Sequence, residues 1–503
     1  MEIITILSIV FLSLCFSLTL KLFFFRPAHE LPPGPPRFPV IGNIQWLKKN
    51  SFSDFQGVLR DLTARHGPII CLHVGSKPSI WVSDRFLAHE ALVQNGSIFS
   101  DRPRAPPTTR VITADQHDIH SAFYGPLWRT LRRNLTSEIL QPSRVRSHAP
   151  SRKWAFEILV ELLKAEQKEK GQVSDVLGHL RHAMFCLLAL MCFGEKLGRE
   201  EIKEIEEAQY QMLMSYAKFS VLNIFPSVTK FLLRKKWRQF LNLRKSQEDV
   251  ILRFVNDRRK DSGEVLCYAD TLMGLEIPEE EKKRKLKGSE IVSLCSEFLN
   301  AGTDPTATAI QWIMANMVKY PEIQRKVYEE MKSVVGEKEM EEEDLSRLVY
   351  LKAVVLESLR RHPPGHYLSY HRATHDTVLG GLLVPRDGTI NFMVGEMGRD
   401  PKVWEDPMEF KPERFIEKGE VQAYDMTGSR EIKMMPFGAG RRICPGYGLA
   451  LLHLEYFVAN LVWRFEWKCL EGEEVDLSEK QQFITMVMKH PFRATIHPRN
   501  DNN

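Results

Sequence analysis

The sequence lacks the cysteine patterns that hold small secreted domains or structural zinc sites together. Its 503 residues contain eight cysteines, and no two of them form a CxxC pair. Most lie in apolar segments, which is typical of reduced, buried thiols in a protein that faces the cytosol. The spacing therefore excludes a disulfide framework and argues against a zinc site.

Strong charge, repeats and flexible linkers are missing as well. The net charge is only +5, from 69 Lys and Arg against 64 Asp and Glu, which gives no reason to expect a nucleic-acid partner. No repeat or Gly/Ser linker divides residues 44–503, so we expect one large domain there. No GxGxxG fingerprint occurs in a βαβ setting, so we expect no dinucleotide to bind this chain.

The N-terminus carries a long uncharged run, Ile3–Leu20. A helix of this length approaches the roughly 30 Å hydrocarbon core of a bilayer. Lys21 and Arg26 follow the run, which favours a cytosolic location for the rest of the chain. A cleaved signal peptide is the alternative, but a basic start and a small-residue cleavage site are missing. We predict a membrane anchor at residues 1–25 and a stiff proline-rich hinge at 26–43.

Hydrophobic periodicity predicts a mainly α fold with a small β region. Long apolar helices are expected at 173–193, in the core rather than across a membrane, and at 289–319, with Ser289 as N-cap. Two β-rich runs flank Gly75–Pro78 and predict a hairpin. The charged run 278–287 is expected to be a solvated loop or a helix end.

The most informative window is Phe437–Gly446, which reads FGAGRRICPG. It places Cys444 among glycines and before an apolar helical stretch, whose N-terminal dipole favours a thiolate. Glycines let a flat macrocycle approach the backbone, and Arg442 is close enough in sequence to pair with a haem propionate. Phe437 is placed to pack against the sulfur. A buried free cysteine in an ordinary glycine-rich turn is the alternative.

The window resembles the haem-binding signature of cytochromes P450, and the matching positions are Phe437, Gly440, Arg442, Cys444 and Gly446. The resemblance implies haem b, with iron held by Cys444 as axial thiolate, a ligand that promotes O–O cleavage. It extends over essentially the whole chain and is particularly similar to plant family 89, subfamily A. It implies the cytochrome P450 fold, with a single large haem domain at 44–503 after the anchor.

A WxxxR motif adds two expected haem contacts. Trp128 and Arg132 are four residues apart, hence on one helix face, and in the family both residues of this motif contact a haem propionate. Arg129 and Arg133 are expected on an exposed positive face, which suits docking of an acidic flavoprotein reductase.

Further expectations concern the core around the cofactor. Glu357 and Arg360 lie three residues apart on a predicted apolar helix, so we expect a buried pair. In the family this ExxR pair and the arginine of a later PERF motif, here Arg414, form a structural triad. A third propionate donor is expected from His371, which stands where the family often has arginine, or from Arg372.

The segment AGTDPT, in the second long helix, matches the oxygen groove of the family with one departure. Gly302 is expected to leave room for dioxygen, and Asp304 to feed protons. The threonine that normally follows the acid is Pro305 here, which removes a hydroxyl and costs about 3 kcal/mol or more in an ordinary helix interior. Thr306 and Thr303 are the remaining hydroxyl candidates.

Several interpretations of Pro305 stay open. It is either a tolerated variant with ordinary hydroxylation, or a sign of altered peroxo chemistry, or a mark of hydroperoxide rearrangement without external oxygen and reductase. A non-catalytic haem-binding membrane protein that has lost oxygen activation is the competing class.

The resemblance implies NADPH-dependent monooxygenation, with O2 as co-substrate, of a lipophilic plant secondary metabolite. NADPH would bind to the partner, NADPH-cytochrome P450 reductase, and not to this chain. The protein would be a single-pass protein of the endoplasmic reticulum membrane with a cytosolic catalytic domain. The substrate-pocket candidates that the resemblance implies are Ile112, Phe123, Phe219, Phe298, Ala301, Tyr367, Leu368, Phe483 and Thr485.

Overall fold

The computed structural model describes residues 13, 16, 30–37, 42–43, 55–75, 77–260, 266–279, 282–421, 424–482 and 485–499. The predicted anchor at 1–25 lies outside the described residues except for Ser13 and Phe16, which are both helical. Most of the predicted hinge and the pocket candidate Phe483 also lie outside them.

Helices dominate the described residues, as the periodicity predicts. In chain order the α-helices are α1 Phe55–His66, α2 Arg85–His89, α3 Gly96–Phe99, α4 Pro107–Ile112, α5 Pro126–Asn134, α6 Pro142–Ser147, α7 Ala149–Lys170, α8 Val176–Phe193, α9 Arg199–Lys218, α10 Pro226–Leu232, α11 Arg234–Lys260, α12 Tyr268–Gly274, α13 Gly288–Lys319, α14 Pro321–Val335, α15 Val349–Arg361, α16 Val394–Met397 and α17 Tyr447–Arg464.

The β part is small and consists of short antiparallel pairs and one three-stranded sheet. The strands are β1 Ile69–Val74, β2 Lys77–Val82, β3 Glu276–Glu279, β4 Lys282–Lys285, β5 Thr377–Leu379, β6 Leu382–Val384, β7 Thr389–Phe392, β8 Ile416–Glu417, β9 Glu420–Val421, β10 Phe465–Lys468, β11 Glu479–Gln482, β12 Thr485–Met488 and β13 Thr495–Pro498. The predicted fold class, mainly α with a small β region, is confirmed.

The chain divides into two compact units, of which the smaller comprises Met1–Val82 and Ala373–Ile390. Within it β1 and β2 pair antiparallel, with Ile69 opposite Val82, so the predicted hairpin is confirmed. β7 completes a sheet of order β1-β2-β7. The strands are almost wholly buried, which explains their β-branched and aromatic composition.

The larger unit comprises Ser83–Arg372 and Asn391–Asn503. Helices α8 and α13 share its main hydrophobic core. Among the described helices, α8 is long and apolar enough to cross a membrane, but 67% of it is buried inside the protein. Its apolar surface is therefore covered by protein, as predicted for a core helix.

Helix α13 begins one residue earlier than its composition predicts. The expectation that Ser289 caps it is wrong: the helix begins at Gly288, and Lys287 is the capping residue. The backbone N–H of Lys287 donates to Oε2 of Glu290 at 2.7 Å, so the glutamate satisfies the free amide. The helix then continues through Pro305 to Lys319 without interruption.

The charged run 278–287 is not a simple loop. Residues 276–285 include the hairpin strands β3 and β4, in which Glu276 lies opposite Lys285 and Glu279 opposite Lys282. Opposite charges across the strands stabilise such a pair. The run was expected to be a loop because the alternation that marks a strand is hidden among the charges.

Candidate active site

Backbone contacts fix the shape of the loop that carries Cys444. The amide of Cys444 donates to the carbonyl oxygen of Phe437 at 2.9 Å, which closes the loop. Gly440 has φ +68°, and a Cβ there would lie 1.9 Å from the carbonyl oxygen of Leu92. Only glycine fits at this position, because both the left-handed backbone and the close carbonyl exclude a side chain.

Cys444 itself is half-buried and lies just before α17, whose first residue is Tyr447. Burial raises the pKa of the Cys444 thiol, whereas the N–H of Gly446 and the charge of Arg132 act in the opposite direction. Together with the N-terminal dipole of α17, these two groups are the ones that stabilise a thiolate here.

Helix α5 presents Trp128 and Arg132 on one face. The Arg132 guanidinium lies 5.5 Å from the centre of the Trp128 ring and donates to the carbonyl oxygen of Ile443 at 2.6 Å. It therefore lies beside the cysteine loop. Arg129 and Arg133 are exposed, as expected for a solvent-facing positive surface.

Arg442 reaches away from its own loop. Its guanidinium donates to the carbonyl oxygens of Ser100 at 2.8 Å, Ile119 at 3.2 Å and Ala122 at 2.7 Å. Burial, together with the nearby charge of Arg102, lowers the pKa of Arg442 to about 9. A cation held by neutral carbonyls in a buried place is a ready partner for an added acid group.

Arg102 belongs to the same group and escaped prediction. It donates to the carbonyl oxygen of His120 at 2.8 Å and to those of Ser369 and Tyr370 at 3.0 and 2.9 Å. Burial lowers the pKa of Arg102 to about 10. No motif marks it, because its partners are main-chain atoms of distant segments that a sequence pattern does not reveal.

His371 is placed differently from the expectation. Its Nδ1 lies 2.9 Å from the carbonyl oxygen of Phe99, and since a carbonyl only accepts, Nδ1 carries the proton. Burial and the charge of Arg102 hold the pKa of His371 well below its usual range. The neutral ring has only an acceptor left at Nε2, so donation to a propionate requires a second proton. The alternative, Arg372, is already paired with Asp101.

The residues around Cys444 fit a haem group. In the part of the chain that the structure describes, Arg102, Arg132 and Arg442 form no ion pair, and their guanidinium N–H groups donate to backbone carbonyl oxygens. Haem brings an iron that a thiolate ligates and two propionates that guanidiniums bind in bidentate fashion. The donor set therefore offers one thiolate for the metal and an excess of positive charge for the two acids.

The ExxR pair and the PERF arginine are in contact. Arg360 donates to both carboxylate oxygens of Glu357 at 2.7 and 2.8 Å, and Arg414 donates to Oε1 at 3.1 Å. Both members of the ExxR pair are fully buried. Arg360 also donates to the carbonyl oxygens of Gly398 and Pro407, so every part of its fork is satisfied.

An exposed stripe interrupts the otherwise buried middle of α13. Between Ile291 and Val318 the residues that are not buried are Glu297, Asn300, Ala301, Gly302, Asp304 and Pro305. Positions three and four apart share a helix face, so Pro305 lies on the stripe together with Ala301. Thr303 and Thr306 are 8% and 7% exposed and lie off it. Neither candidate hydroxyl therefore takes the place that Pro305 occupies.

Gly302 has a packing role. A Cβ at this position would lie 2.6 Å from Cδ1 of Leu188 in α8. The missing side chain therefore lets α8 and α13 approach each other closely. The expectation that it makes room for dioxygen finds no support in this contact.

Asp304 is held by two groups from distant parts of the chain. Nη2 of Arg181, on α8, lies 2.5 Å from its Oδ1. The hydroxyl of Thr485, the first residue of β12, donates to its Oδ2 at 2.7 Å. Thr485 was expected in the substrate pocket, and Arg181 was not among the predicted site residues.

The pocket candidates separate into two groups by burial. Phe123 and Ala301 are exposed, and Tyr367 and Leu368 are half-buried, so part of each of these four side chains is accessible to solvent. Ile112 and Phe219 are buried in a second hydrophobic cluster with Phe240.

Phe298 and Thr485 also have protein partners. Phe298 is 8% exposed and its ring lies 5.1 Å from that of Tyr268. Thr485 is 2% exposed. The family resemblance that suggested these candidates does not separate core contacts from cavity contacts, because most residues of both kinds are apolar.

Comparison with known proteins identifies the family. Residues 32–496 match the family model named Cytochrome P450. The chain belongs to the cytochrome P450 family. It is 77% identical over 509 residues to Cytochrome P450 89A9 of Arabidopsis thaliana, which covers 99% of this chain and 100% of that relative. The likeness to plant family 89, subfamily A, is thereby confirmed.

More distant P450 proteins share the fold over nearly the same length. The chain is 31% identical to Isoflavone 2'-hydroxylase of Medicago truncatula, over 98% of this chain and 97% of that protein. A zebra fish cytochrome P450 solved with progesterone superposes with a TM-score of 0.73 at 25% identity, over 88% of this chain and 99% of that one. The protein is thus a haem-thiolate oxidoreductase of the monooxygenase class, which uses O2 and a small-molecule substrate.

Proposed function

We propose that this P450 inserts one oxygen atom from O2 into a lipophilic plant secondary metabolite at the endoplasmic reticulum membrane. Electrons come from NADPH through NADPH-cytochrome P450 reductase, and residues 1–25 anchor the chain with its catalytic domain in the cytosol. The exposed Arg129 and Arg133 on α5 support docking of an acidic reductase. The free apolar surface of Phe123, Ala301 and Leu368 supports a lipophilic substrate.

One observation carries the proposal: Cys444 lies in a loop beside Arg132, with Arg442 and Arg102 available for acid groups. Haem, when bound, supplies the iron chemistry that activates dioxygen. In this account Cys444 would hold the iron, and Arg132 and Arg442 would bind the propionates, with both guanidiniums placed over the ring of Trp128. Phe437 shields the sulfur from water, and Gly446 donates its amide to the sulfur. The triad of Glu357, Arg360 and Arg414 holds the surrounding core.

Proton supply is the step in which this chain departs from its family. Asp304 is the proposed proton donor, and the hydroxyl bonded to its carboxylate belongs to Thr485. Thr306 and Thr303 stay provisional donors, since both are buried away from the exposed stripe. We propose that Asp304 passes protons with the help of Thr485 and water, because Pro305 provides no hydroxyl.

The function is tested with microsomes that contain the protein and its reductase, incubated with a panel of lipophilic plant metabolites. We expect an oxygenated product that requires both NADPH and O2 and carries the label of ¹⁸O2. A product formed without reductase and O2 would indicate hydroperoxide rearrangement instead. A thiolate-haem spectrum without any NADPH-dependent product over the panel would favour the non-catalytic class.

The role of Pro305 is tested by Pro305→Thr, with Asn300→Ala on the same stripe as the matched control. Because a hydroxyl is restored on the face of Ala301, we expect more product per NADPH consumed and less hydrogen peroxide in Pro305→Thr. Unchanged rate, coupling and product would establish Pro305 as a tolerated variant.

A further inference from the structure

One carboxyl group of α13 binds a loop that also holds the arginines proposed to bind the haem propionates. Glu297 lies on the exposed stripe of α13, four residues before Ala301. Its Oε2 accepts the backbone N–H of Ile119 at 2.9 Å, and its Oε1 accepts that of His120 at 2.6 Å. Both carboxylate oxygens therefore bind successive amides of a loop that is distant in sequence.

The carbonyl oxygens of these two residues face the other way and hold the cofactor-binding side chains. The carbonyl of Ile119 accepts from Nε1 of Trp128 at 3.1 Å and from Nη1 of Arg442 at 3.2 Å. The carbonyl of His120 accepts from Nε of Arg102 at 2.8 Å. Each residue is thus bound by Glu297 through its amide and by a cofactor-side group through its carbonyl.

The turn that precedes this segment has an unfavourable backbone, and its Gln116 side chain donates to the carbonyl oxygens of Pro103 and Ser121. Ala114, Asp115 and Gln116 have φ values of 47°, 64° and 66°, and none of them is glycine. Each left-handed residue costs about 1–2 kcal/mol. A run of three is retained only where surrounding contacts determine the conformation. Glu297 adds two hydrogen bonds to backbone amides just after this run.

We propose that Glu297 is a positioning residue for the cofactor. It fixes the Ile119–His120 segment so that the carbonyls of this segment hold Trp128 in place and direct Arg102 and Arg442 toward the acid groups of haem. The inference rests on the proposed haem contacts of these side chains and adds the group that orders them. It also links the oxygen-side helix to the propionate side through two residues of one loop.

The test measures how fast the holoenzyme loses haem to an excess of apomyoglobin, with no substrate or turnover involved. We expect haem loss at least about tenfold faster in Glu297→Ala, since two backbone amides of the loop lose their acceptor. Glu297→Gln keeps the side-chain volume and one acceptor oxygen, so its rate should lie between the two. Asn300→Ala, one turn away on the same stripe, should lose haem at the wild-type rate.

Amide hydrogen exchange of the same holoenzymes supplies a readout that does not depend on haem affinity. Exchange in a peptide covering residues 113–122 should accelerate in Glu297→Ala, while peptides of α17 keep their wild-type protection and show that the fold is intact. Equal haem loss and equal exchange in wild type and Glu297→Ala would overturn the inference alone. A wild-type protein that fails to retain haem would instead contradict the proposed function.

Discussion

The loop at 437–446 and the stripe of α13 at 297–305 differ in how their residues are held in place. The backbone of the loop is closed by a bond of its own, from the Cys444 amide to Phe437, and Gly440 permits the close carbonyl of Leu92. The polar groups of the stripe are instead held by partners far along the chain. Asp304 is bound by Arg181 and Thr485.

This difference bears on what a substitution is expected to do in each region. A residue whose place is set by its own backbone cannot be exchanged without rebuilding the loop. A residue held by distant side chains keeps its position when a neighbour changes. Asp304 therefore keeps its two partners even though Pro305 replaces the usual threonine beside it.

The largest expected effect concerns the buried contacts within the ExxR motif. Glu357→Ala leaves Arg360 buried without its carboxylate, so we expect the free energy of unfolding to fall by about 3–5 kcal/mol. The matched control is Glu329→Ala, which breaks an exposed pair with Arg325 on α14 and should cost less than about 1 kcal/mol. Urea unfolding of both holoenzymes measures the difference; equal losses would contradict a buried structural role.

A smaller effect is expected from Gly440→Ala. The added Cβ meets the carbonyl oxygen of Leu92 and the backbone is left-handed, so the loop must shift at a cost of about 1–3 kcal/mol. Gly448→Ala is the control, because a Cβ there has nothing within 4 Å and Gly448 lies inside α17. Thermal unfolding and haem content should fall only in Gly440→Ala. A wild-type haem content in that variant would show that the loop adapts easily.

The smallest effect on stability is expected on the oxygen side. Arg181 and Asp304 are 32% and 28% exposed in their side chains, so Arg181→Leu should reduce stability by less than about 1 kcal/mol. The control Arg253→Leu breaks an exposed pair with Glu204 and should have a similarly small effect. Only Arg181→Leu should change the product formed per NADPH, since only that variant releases Asp304. If both variants form the same amount of product per NADPH consumed, Arg181 has no role in proton supply.

Sequence reasoning predicted the regions whose contacts are local. The mainly helical fold and the β1–β2 hairpin follow from periodicity and turn residues. The contact of Glu357 with Arg360 follows from spacing on one helix. Sequence reasoning predicted the start of α13 one residue too late. The N-cap residue is Lys287, whose side chain makes no capping hydrogen bond, so the residue type does not indicate its role.

The missed residues share a different cause. Arg102, Arg181 and Glu297 act through main-chain atoms or side chains of segments distant in sequence, and a single chain without its fold gives no measure of such distances. The pocket candidates Phe219 and Phe298 show the same limit: both are apolar residues, and their aromatic partners Phe240 and Tyr268 could not be read from the sequence.

The central claim is that Cys444 is the axial ligand of haem iron, and the reduced carbon monoxide difference spectrum tests it most directly. The account predicts that the wild type gives the long-wavelength Soret band of thiolate-ligated haem. Cys444→His should lose that band, give one at the shorter wavelength of imidazole ligation, and form no oxygenated product. A Cys444→His protein that keeps the wild-type band would show that another side chain holds the iron, and would contradict the claim.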